Sequence, residues 1–360
     1  MHSVSYFISG NTQKGFVSLL PEIYCSHEGW RYFLLTGGSD ERISSLLHKT
    51  ADAADRHGFK TECMPCSFDP VRLEAVFLPE MKKIVINGNI FQHAVLTDNI
   101  DKKQVDLSFS LDPDFINACI PVMRKLKLKK EEAYEKSRKN LKAASIIERE
   151  IHDTYIHHLH KDKINRFVKR ISENYLTGYR ESESRGEVRF LSAVTPIGIV
   201  VEYETLFSQC DTVIALEDDY GVASDCILQS VQAELNRRGI DYQRYLCALT
   251  PLTKTEHLII PDLRLGFFTS NAFHPILGKP TKKIHAKRFM EENHLKHSKN
   301  KFRFLRKAKT ELIGDAMQYL EIAKIYHEII QTYITAAEKK EIMQETEEEI
   351  LRDILPECFT

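Results

Sequence analysis

Apolar and polar residues follow one another along the chain in a pattern that predicts strands and amphipathic helices in turn. An apolar run at residues 30–35 precedes a helical pattern at 44–57, which ends at Gly58. A glycine directly after a helical pattern is a typical helix stop. Further strand patterns follow at 60–63, 75–78 and 84–86. This alternation predicts an α/β fold with a mostly parallel sheet flanked by helices.

The same pattern returns about halfway along the chain. The segment 6–16 matches 189–199, with Phe, Ser, Thr and Gly at the same places. Matching residues then recur at an offset of 181, namely Leu35 and Leu216, Gly58 and Gly239, Cys66 and Cys247, and Pro70 and Pro251. Self-similarity over such a length predicts a tandem duplication.

The duplication predicts two α/β domains, each with a C-terminal helical appendage. We expect the first domain at residues 1–182, with its helical tail at about 114–178. The second is expected at 183–360, with its tail at about 301–355. Between them, residues 178–186 are polar and flanked by glycine, as expected of a domain boundary.

A glycine-containing loop joins the apolar strand to the first long helix. Gly37 and Gly38 follow the strand, and Ser44 and Ser45 stand at the predicted helix start. Strand, glycine turn and helix in this order form the layout in which P-loop proteins bind nucleotide phosphates. The segment therefore predicts a vestigial phosphate loop.

The residues that carry nucleotide chemistry are missing from this loop. Arg42 stands where the second glycine is needed, and Ile43 stands where the phosphate-binding lysine is needed. The strand that should end in a Mg²⁺-shell carboxylate is followed instead by Asn87. ATP or GTP hydrolysis by this copy is therefore not expected.

The second copy has lost more of the motif. Its loop, residues 216–225, lacks the lysine and both aligned glycines, and it carries several acids, which would repel a phosphate. Glu217, Asp218 and Asp219 could instead hold a divalent cation through oxygen ligands. The alternative is a solvated acidic turn that remains after decay of the loop.

Further motifs surround the two loops, at residues 9–16, 66–81, 151–153 and 326–328. In this order they resemble an uncharacterised group of bacterial tandem P-loop ATPase-like proteins, found largely in spore-forming bacteria. The resemblance covers nearly the whole chain. It implies two P-loop-type domains and a role in sporulation. It also makes Lys14 a candidate anion contact, although an ordinary surface lysine is the alternative.

Composition and charge describe a chain without a global preference for nucleic acid or membranes. Of the 360 residues 42% are hydrophobic and 28% charged, and the formal net charge is -1. No apolar run approaches the ~20 residues of a membrane helix. The N-terminus lacks the basic flank of a signal peptide, and the eight cysteines are scattered. A cytoplasmic protein with reduced thiols is expected.

A basic segment at residues 279–309 is the remaining candidate for binding. Phe302 and Phe304 lie among its lysines and arginines, as in surfaces on which nucleic-acid bases stack. The alternative is a solvated helix face, balanced by the acidic run near residue 347.

Taken together, these patterns predict a catalytically inactive P-loop NTPase-like protein that binds or scaffolds a protein partner or a second copy of itself. No cofactor is expected. One alternative is a nucleotide-binding regulator that uses only the N-terminal copy, with a nucleotide and Mg²⁺ held by Gly37, Gly38, Ser44 and Lys14. The other is a nucleic-acid-binding protein that uses the basic segment 279–309.

Overall fold

The structure is a computed structural model that describes residues 4–26, 29–91, 101–176, 178, 183–251 and 254–358. Part of the predicted domain boundary, residues 179–182, lies outside these ranges.

The first repeat contains strands, a hairpin and long helices in the predicted alternation. Its strands are β1 (Val4–Ser5), β2 (Ser9–Thr12), β3 (Gly15–Ser18), β4 (Arg31–Thr36), β5 (Glu62–Pro65), β6 (Leu73–Leu78), β7 (Lys83–Asn87) and β8 (Lys102–Asp106). Its helices are α1 (Leu20–Ser26), α2 (Asp40–Arg56), α3 (Pro113–Tyr155) and α4 (Lys161–Tyr175).

The second repeat has the same succession of elements. Its strands are β9 (Gly186–Arg189), β10 (Ser192–Thr195), β11 (Gly198–Val201), β12 (Thr212–Glu217), β13 (Tyr242–Leu246), β14 (Thr255–Ile260), β15 (Leu265–Ser270) and β16 (Lys282–His285). Its helices are α5 (Tyr203–Gln209), α6 (Val222–Arg238), α7 (Glu292–Ala337) and α8 (Lys340–Ile354).

Each repeat builds one six-stranded sheet from its described strands, and the two sheets have the same order. That order is β1-β5-β6-β7-β4-β8 in the first repeat and β9-β13-β14-β15-β12-β16 in the second. In both sheets three pairings are parallel, and the two pairings of the central meander are antiparallel. The fold is thus α/β, with two mixed sheets of mostly parallel strands, as expected of a duplicated domain.

The two repeats share a hydrophobic core where their first strands meet. Phe7 and Phe190 pair as an antiparallel bridge, and each N–H donates to the carbonyl oxygen of the other residue, at 2.8 and 3.0 Å. Beside them the buried guanidinium of Arg189 lies 4.0 Å from the ring centroid of Tyr6 and 3.3 Å from Glu62. The bridge joins equivalent residues, so it marks the pseudo-twofold relation between the repeats.

Helices α3 and α7 run antiparallel along each other. The Lys129 ammonium lies 5.6 Å from the Tyr326 ring centroid near one end, and Lys301 pairs with Glu150 at 2.6 Å near the other. One half of this helical pair therefore covers the first repeat, and the other half covers the second.

The last helices of the two tails, α4 and α8, are exchanged between the repeats, whereas the sequence predicts each tail with its own domain. The apolar face of α4, with Ile164, Phe167 and Ile171, is buried in one core with α6 of the second repeat. Ile350 and Ile354 of α8 are buried in the core around α2 of the first repeat. Each repeat therefore completes its core with the last helix of the other repeat's tail, as in a domain-swapped dimer.

In the described part of the chain, no helix combines the length and the hydropathy that are needed to cross a membrane. Seven cysteines are free thiols, namely Cys63, Cys66, Cys119, Cys210, Cys226, Cys247 and Cys358.

Candidate functional site

The loop after β4 makes a tight turn and then enters α2 earlier than the sequence predicts. Gly37 has a φ of +82°, a conformation that favours glycine. A Cβ at this position would also lie only 2.8 Å from the backbone nitrogen of Ser108, so a larger residue does not fit. Ser39 then caps the helix, since its Oγ accepts the Arg42 N–H at 3.3 Å. α2 therefore begins at Asp40 instead of Ser44, and half of the expected phosphate loop is wound into the first helical turn.

The chain's own side chains take up the backbone donors of this turn. Gly37 N–H donates to Asn89 Oδ1 at 3.0 Å. Ser39 N–H donates to Oε1 of Glu338, the C-cap residue of α7, at 2.9 Å. Asp40 N–H donates to Oε1 of Gln331 on α7, also at 2.9 Å. A carboxylate of the protein thus sits at the helix N-terminus, where an anion would otherwise bind.

The remaining candidates on α2 face away from the loop. Arg42 is only 4% exposed, donates to Ser110 Oγ and lies 3.9 Å from Glu347. Ser44 Oγ accepts the Leu73 N–H at 2.9 Å, which ties α2 to β6. Ser45 is half-buried on the same helix. These residues have structural contacts and do not converge on a phosphate position.

A cavity of about 610 Å³ lies in front of the Gly37-Gly38 turn. Asp40, Asn87 and Asn89 form its floor at the carboxyl ends of β4 and β7. Helices α3 and α7 form its roof, so both repeats contribute to its walls. We call this cavity the first cleft.

Most charged groups around the first cleft are paired. Asp69 contacts Lys324 at 2.9 Å and Arg72 at 3.2 Å. Asp40 accepts a hydrogen bond from His327 Nε2 at 2.7 Å. Burial alone would raise the pKa of Asp40, but the hydrogen bond and charge of His327 outweigh it and lower that pKa overall. The pair stabilises the contact between α2 and α7.

Two lysines of α3 differ from this pattern. Lys127 and Lys130 line the first cleft, and neither has an ion-pair partner within 4 Å among the residues that the structure describes. Burial lowers the pKa of the Lys130 ammonium, although the charges of Glu131 and Asp40 oppose that change. The cleft therefore presents unpaired cationic groups on one wall.

In the second repeat, an aspartate closes the equivalent loop. Asp218 is 2% exposed, and its Oδ1 accepts the Tyr220 N–H at 3.1 Å while its Oδ2 accepts the Ser224 N–H at 2.8 Å. Ser224 lies in the first turn of α6, which begins at Val222. A side-chain carboxylate thus occupies this helix N-terminus as well.

Side chains also fill the space in front of the second loop, where cavities of only about 50 and 20 Å³ remain. The Phe302 ring stacks on Tyr220 with centroids 4.1 Å apart. Glu148 of α3 pairs with Lys254 at 2.9 Å and with Lys309 at 2.6 Å. Between the second loop and the long helices, the described residues therefore leave no cavity of the size of the first cleft.

Glu217, Asp218 and Asp219, the acids proposed as metal ligands, do not form a metal site. Asp218 and Glu217 are bound to other groups of the protein. Both oxygens of Asp218 accept backbone hydrogen bonds, as described above. Glu217 pairs with His285 at 2.6 Å and Lys283 at 3.4 Å. With Asp219 they border an open depression of about 400 Å³. Over the described ranges, no group of three or more His, Cys, Asp or Glu side chains is arranged to hold a metal ion.

The two remaining candidates lie outside the first cleft. Lys14 is exposed at the turn between β2 and β3 and is not among the lining residues. In the basic segment 279–309, Phe302 is buried in the core, and only Phe304 of the two interleaved aromatics is exposed. The stacking surface that the sequence predicts there is therefore reduced to one ring.

The sequence did not single out the residues of α7 that close the first loop. Gln331 and Glu338 lie about 290 residues from their partners, in a helical pattern with no local signal for such a contact. His327 belongs to the motif at 326–328, but nothing in that motif indicates Asp40 as its partner.

Comparison with known proteins adds no family to this geometry, since no family model, curated protein or solved structure matches the chain.

Proposed function

We propose that this chain is a catalytically inactive, tandem P-loop-like binding protein, in which the first cleft is the ligand site and the second repeat is structural. One observation carries the proposal. Between the first loop and the long helices lies a cavity of about 610 Å³, whereas side chains fill the equivalent space at the second loop and leave only about 50 and 20 Å³. The family resemblance supports sporulation as the process and a protein partner or second copy as the context.

The occupied loops argue against nucleotide hydrolysis. A triphosphate needs several free backbone N–H groups, a lysine and a metal-shell acid. Glu338 and Gln331 occupy two donors of the first loop, and Asp218 occupies the second loop. Ile43, at the lysine position, is fully buried.

The first cleft has the size and chemistry of a small-molecule site. Its volume is within the roughly 300–1,000 Å³ typical of ligand pockets. Aromatic and aliphatic side chains share the lining with a few polar groups, as is usual in such sites. Phe68 packs against Tyr134 with ring centroids 5.2 Å apart and forms an aromatic wall.

Turnover assays test the absence of catalysis. We expect no hydrolysis of ATP or GTP with Mg²⁺ above the blank, and no calorimetric heat of binding for either nucleotide. Lys14→Ala is the informative comparison, because Lys14 is exposed and its loss leaves the core intact. Turnover by the natural chain that disappears in Lys14→Ala or Ser44→Ala would overturn the proposal.

A neutral fluorescent probe tests the ligand site itself. We expect N-phenyl-1-naphthylamine to bind the full chain with enhanced fluorescence, since an apolar cavity excludes water from the probe. The double variant Ile116→Trp, Met123→Trp adds two rings to the α3 wall of the first cleft and is expected to weaken binding. Equal binding to both proteins would remove the first cleft as the site.

A further inference from the structure

We propose that the first cleft takes an organic anion with an apolar body, and that Lys127 and Lys130 bind its acidic group. This inference rests on the proposed function and specifies its ligand class. The structure supports it through the apolar lining, the two lysines that form no ion pair among the described residues, and a comparison of the two repeats.

Apolar side chains form much of the lining of the first cleft. They come from the β2–β3 hairpin, from the segment after β5 and from both long helices, and include Phe16, Phe68, Leu111, Ile116, Met123 and Ile334. Burying an apolar ligand surface against such a wall is favourable by roughly 25 cal/mol per Å². The body of the ligand is therefore expected to be aromatic or aliphatic.

The charges of the first cleft favour an acid as the polar group of the ligand. Asp40 is paired with His327, Asp69 with Lys324 and Arg72, and Glu328 lies 3.6 Å from Lys324. In the described part of the cleft wall, Lys127, Lys130 and Glu131 are left without an ion pair. With His327 neutral, the four acidic and four basic side chains of the lining balance, but Lys127 and Lys130 are the two cations among them without an ion pair in the described chain. An anionic group of the ligand would supply that missing partner.

The first loop does not supply that anion site. Its Ser39 and Asp40 N–H groups already donate to Glu338 and Gln331. The acidic group is therefore expected at the α3 wall, with the turn at Gly37-Gly38 contacting the rest of the ligand.

The second repeat shows what the same helix positions do in a closed cleft. Along the long helices, the bridges Leu111–Glu338 and Leu159–Met290 relate equivalent positions, which sets an offset of 179. At that offset Lys130 corresponds to Lys309, and His327 corresponds to Glu148. Lys309 pairs with Glu148 at 2.6 Å in the second repeat. In the first repeat His327 stands in place of that glutamate and donates to Asp40, so Lys130 lies beside an open cavity without the equivalent ion pair.

A matched pair of probes tests the proposal. N-phenyl-1-naphthylamine and 8-anilinonaphthalene-1-sulfonate share one aromatic body, and only the second carries a sulfonate. We expect the sulfonate to bind the full chain about tenfold more tightly, as one charge-assisted contact of ~1.4 kcal/mol predicts. The double variant Lys127→Gln, Lys130→Gln should lose this tenfold preference and keep its affinity for the neutral probe.

Lys125→Gln is the control, because Lys125 is exposed on the same helix and does not line the cleft. It should keep the preference for the sulfonate. A preference that survives in the double variant, or is lost equally in Lys125→Gln, would overturn the anion assignment. Binding of the neutral probe without any preference would overturn it too, while leaving the ligand site in place. Failure of both probes to bind would count against the ligand site itself.

Laurate and AMP then distinguish two sources of the acidic group. Displacement of the sulfonate probe by laurate points to an aliphatic carboxylic acid, and displacement by AMP points to a nucleoside monophosphate. Either result supports the class, whereas displacement by neither, over the range in which both are soluble, contradicts it.

Discussion

His327 Nε2 donates a hydrogen bond to Asp40 Oδ2 across 2.7 Å, and so the long helix of the second repeat is joined to the loop helix of the first. The two residues are 287 positions apart in the chain. Because the contact lies at the floor of the first cleft, the packing of the repeats and the shape of the cleft are linked.

This pair predicts how stability depends on acid. His327 holds the pKa of Asp40 below its ordinary value despite burial, so the contribution of the carboxylate is present above that value. It is lost as the pH falls through the lowered pKa. We expect Asp40→Asn to lower the free energy of unfolding at pH 7 by about 1 to 2 kcal/mol.

Urea unfolding between pH 2 and pH 7 measures this effect. The variant should lose less stability than the natural chain below about pH 4, where aspartates usually titrate. Parallel curves for the two proteins would contradict the role of the pair.

Two equivalent buried glutamates predict opposite effects of pH and substitution. Burial raises the pKa of Glu74 to about 8, and the hydrogen bond from Ser9 only partly offsets this. Burial also acts on Glu256, but the charges of Lys254 and His274 lower its pKa to about 2. The first is therefore protonated in the folded chain near neutral pH, and the second is ionised.

Because the folded-state pKa of Glu74 is raised, the natural chain should lose stability as the pH rises from about 5 to 8. Glu74→Gln has no group to titrate at this position and should not show that loss. At pH 8 the variant should be more stable by at least about 1 kcal/mol.

Glu256→Gln breaks a buried pair and should cost about 3 to 5 kcal/mol at pH 7. Chemical unfolding at both pH values checks the signs, and equal signs would refute the assignment.

The stacked ring of Phe302 predicts a strong difference between two neighbouring phenylalanines. Phe302 is 7% exposed and stacks on Tyr220, whereas Phe304 is 70% exposed. Phe302→Ala should lower the free energy of unfolding by about 3 to 5 kcal/mol, since it opens a cavity in a packed core. Phe304→Ala should change it by less than about 0.5 kcal/mol.

Thermal unfolding of the two variants checks this difference. Probe binding to Phe302→Ala adds a second readout, because the variant should gain a site for the neutral naphthylamine in the second repeat. Similar stabilities for the two variants would show that the stacking is not part of the core.

Because α8 packs on the first repeat, a core substitution in α8 is expected to destabilise the first repeat. Ile354 of α8 is fully buried in the core around α2, while Ile325 on α7 is half exposed. Ile354→Ala should cost about 2 to 5 kcal/mol, and Ile325→Ala much less.

Hydrogen exchange shows where the loss occurs. In Ile354→Ala, amide protection should fall more in α2 of the first repeat than in α6 of the second, although Ile354 belongs to the second repeat. A larger loss in α6 would contradict the exchange of tails.

Much of the architecture could be predicted because it is local. The strand at 30–35, the helix end at Gly58 and their repeats depend on hydropathy and turn residues within a few positions. The helix starts were less predictable: α2 begins at Asp40 because Ser39 caps it, and a serine in a glycine turn is equally compatible with a phosphate loop. The P-loop ancestry and the proposed absence of hydrolysis stay predictions.

By itself, the sequence determined the repeat, the α/β class and the absence of a phosphate-loop lysine from both loops, because each depends on neighbouring residues. Only the tertiary structure decided that Glu338 and Asp218 occupy the two helix N-termini, that the tails are exchanged, and that the first cleft is open while Phe302 fills the second. The physical reason is that an amphipathic helix must bury its apolar face, but its pattern does not specify which surface covers it. In this chain, contacts between the two repeats determine which surface covers the apolar faces of α4 and α8.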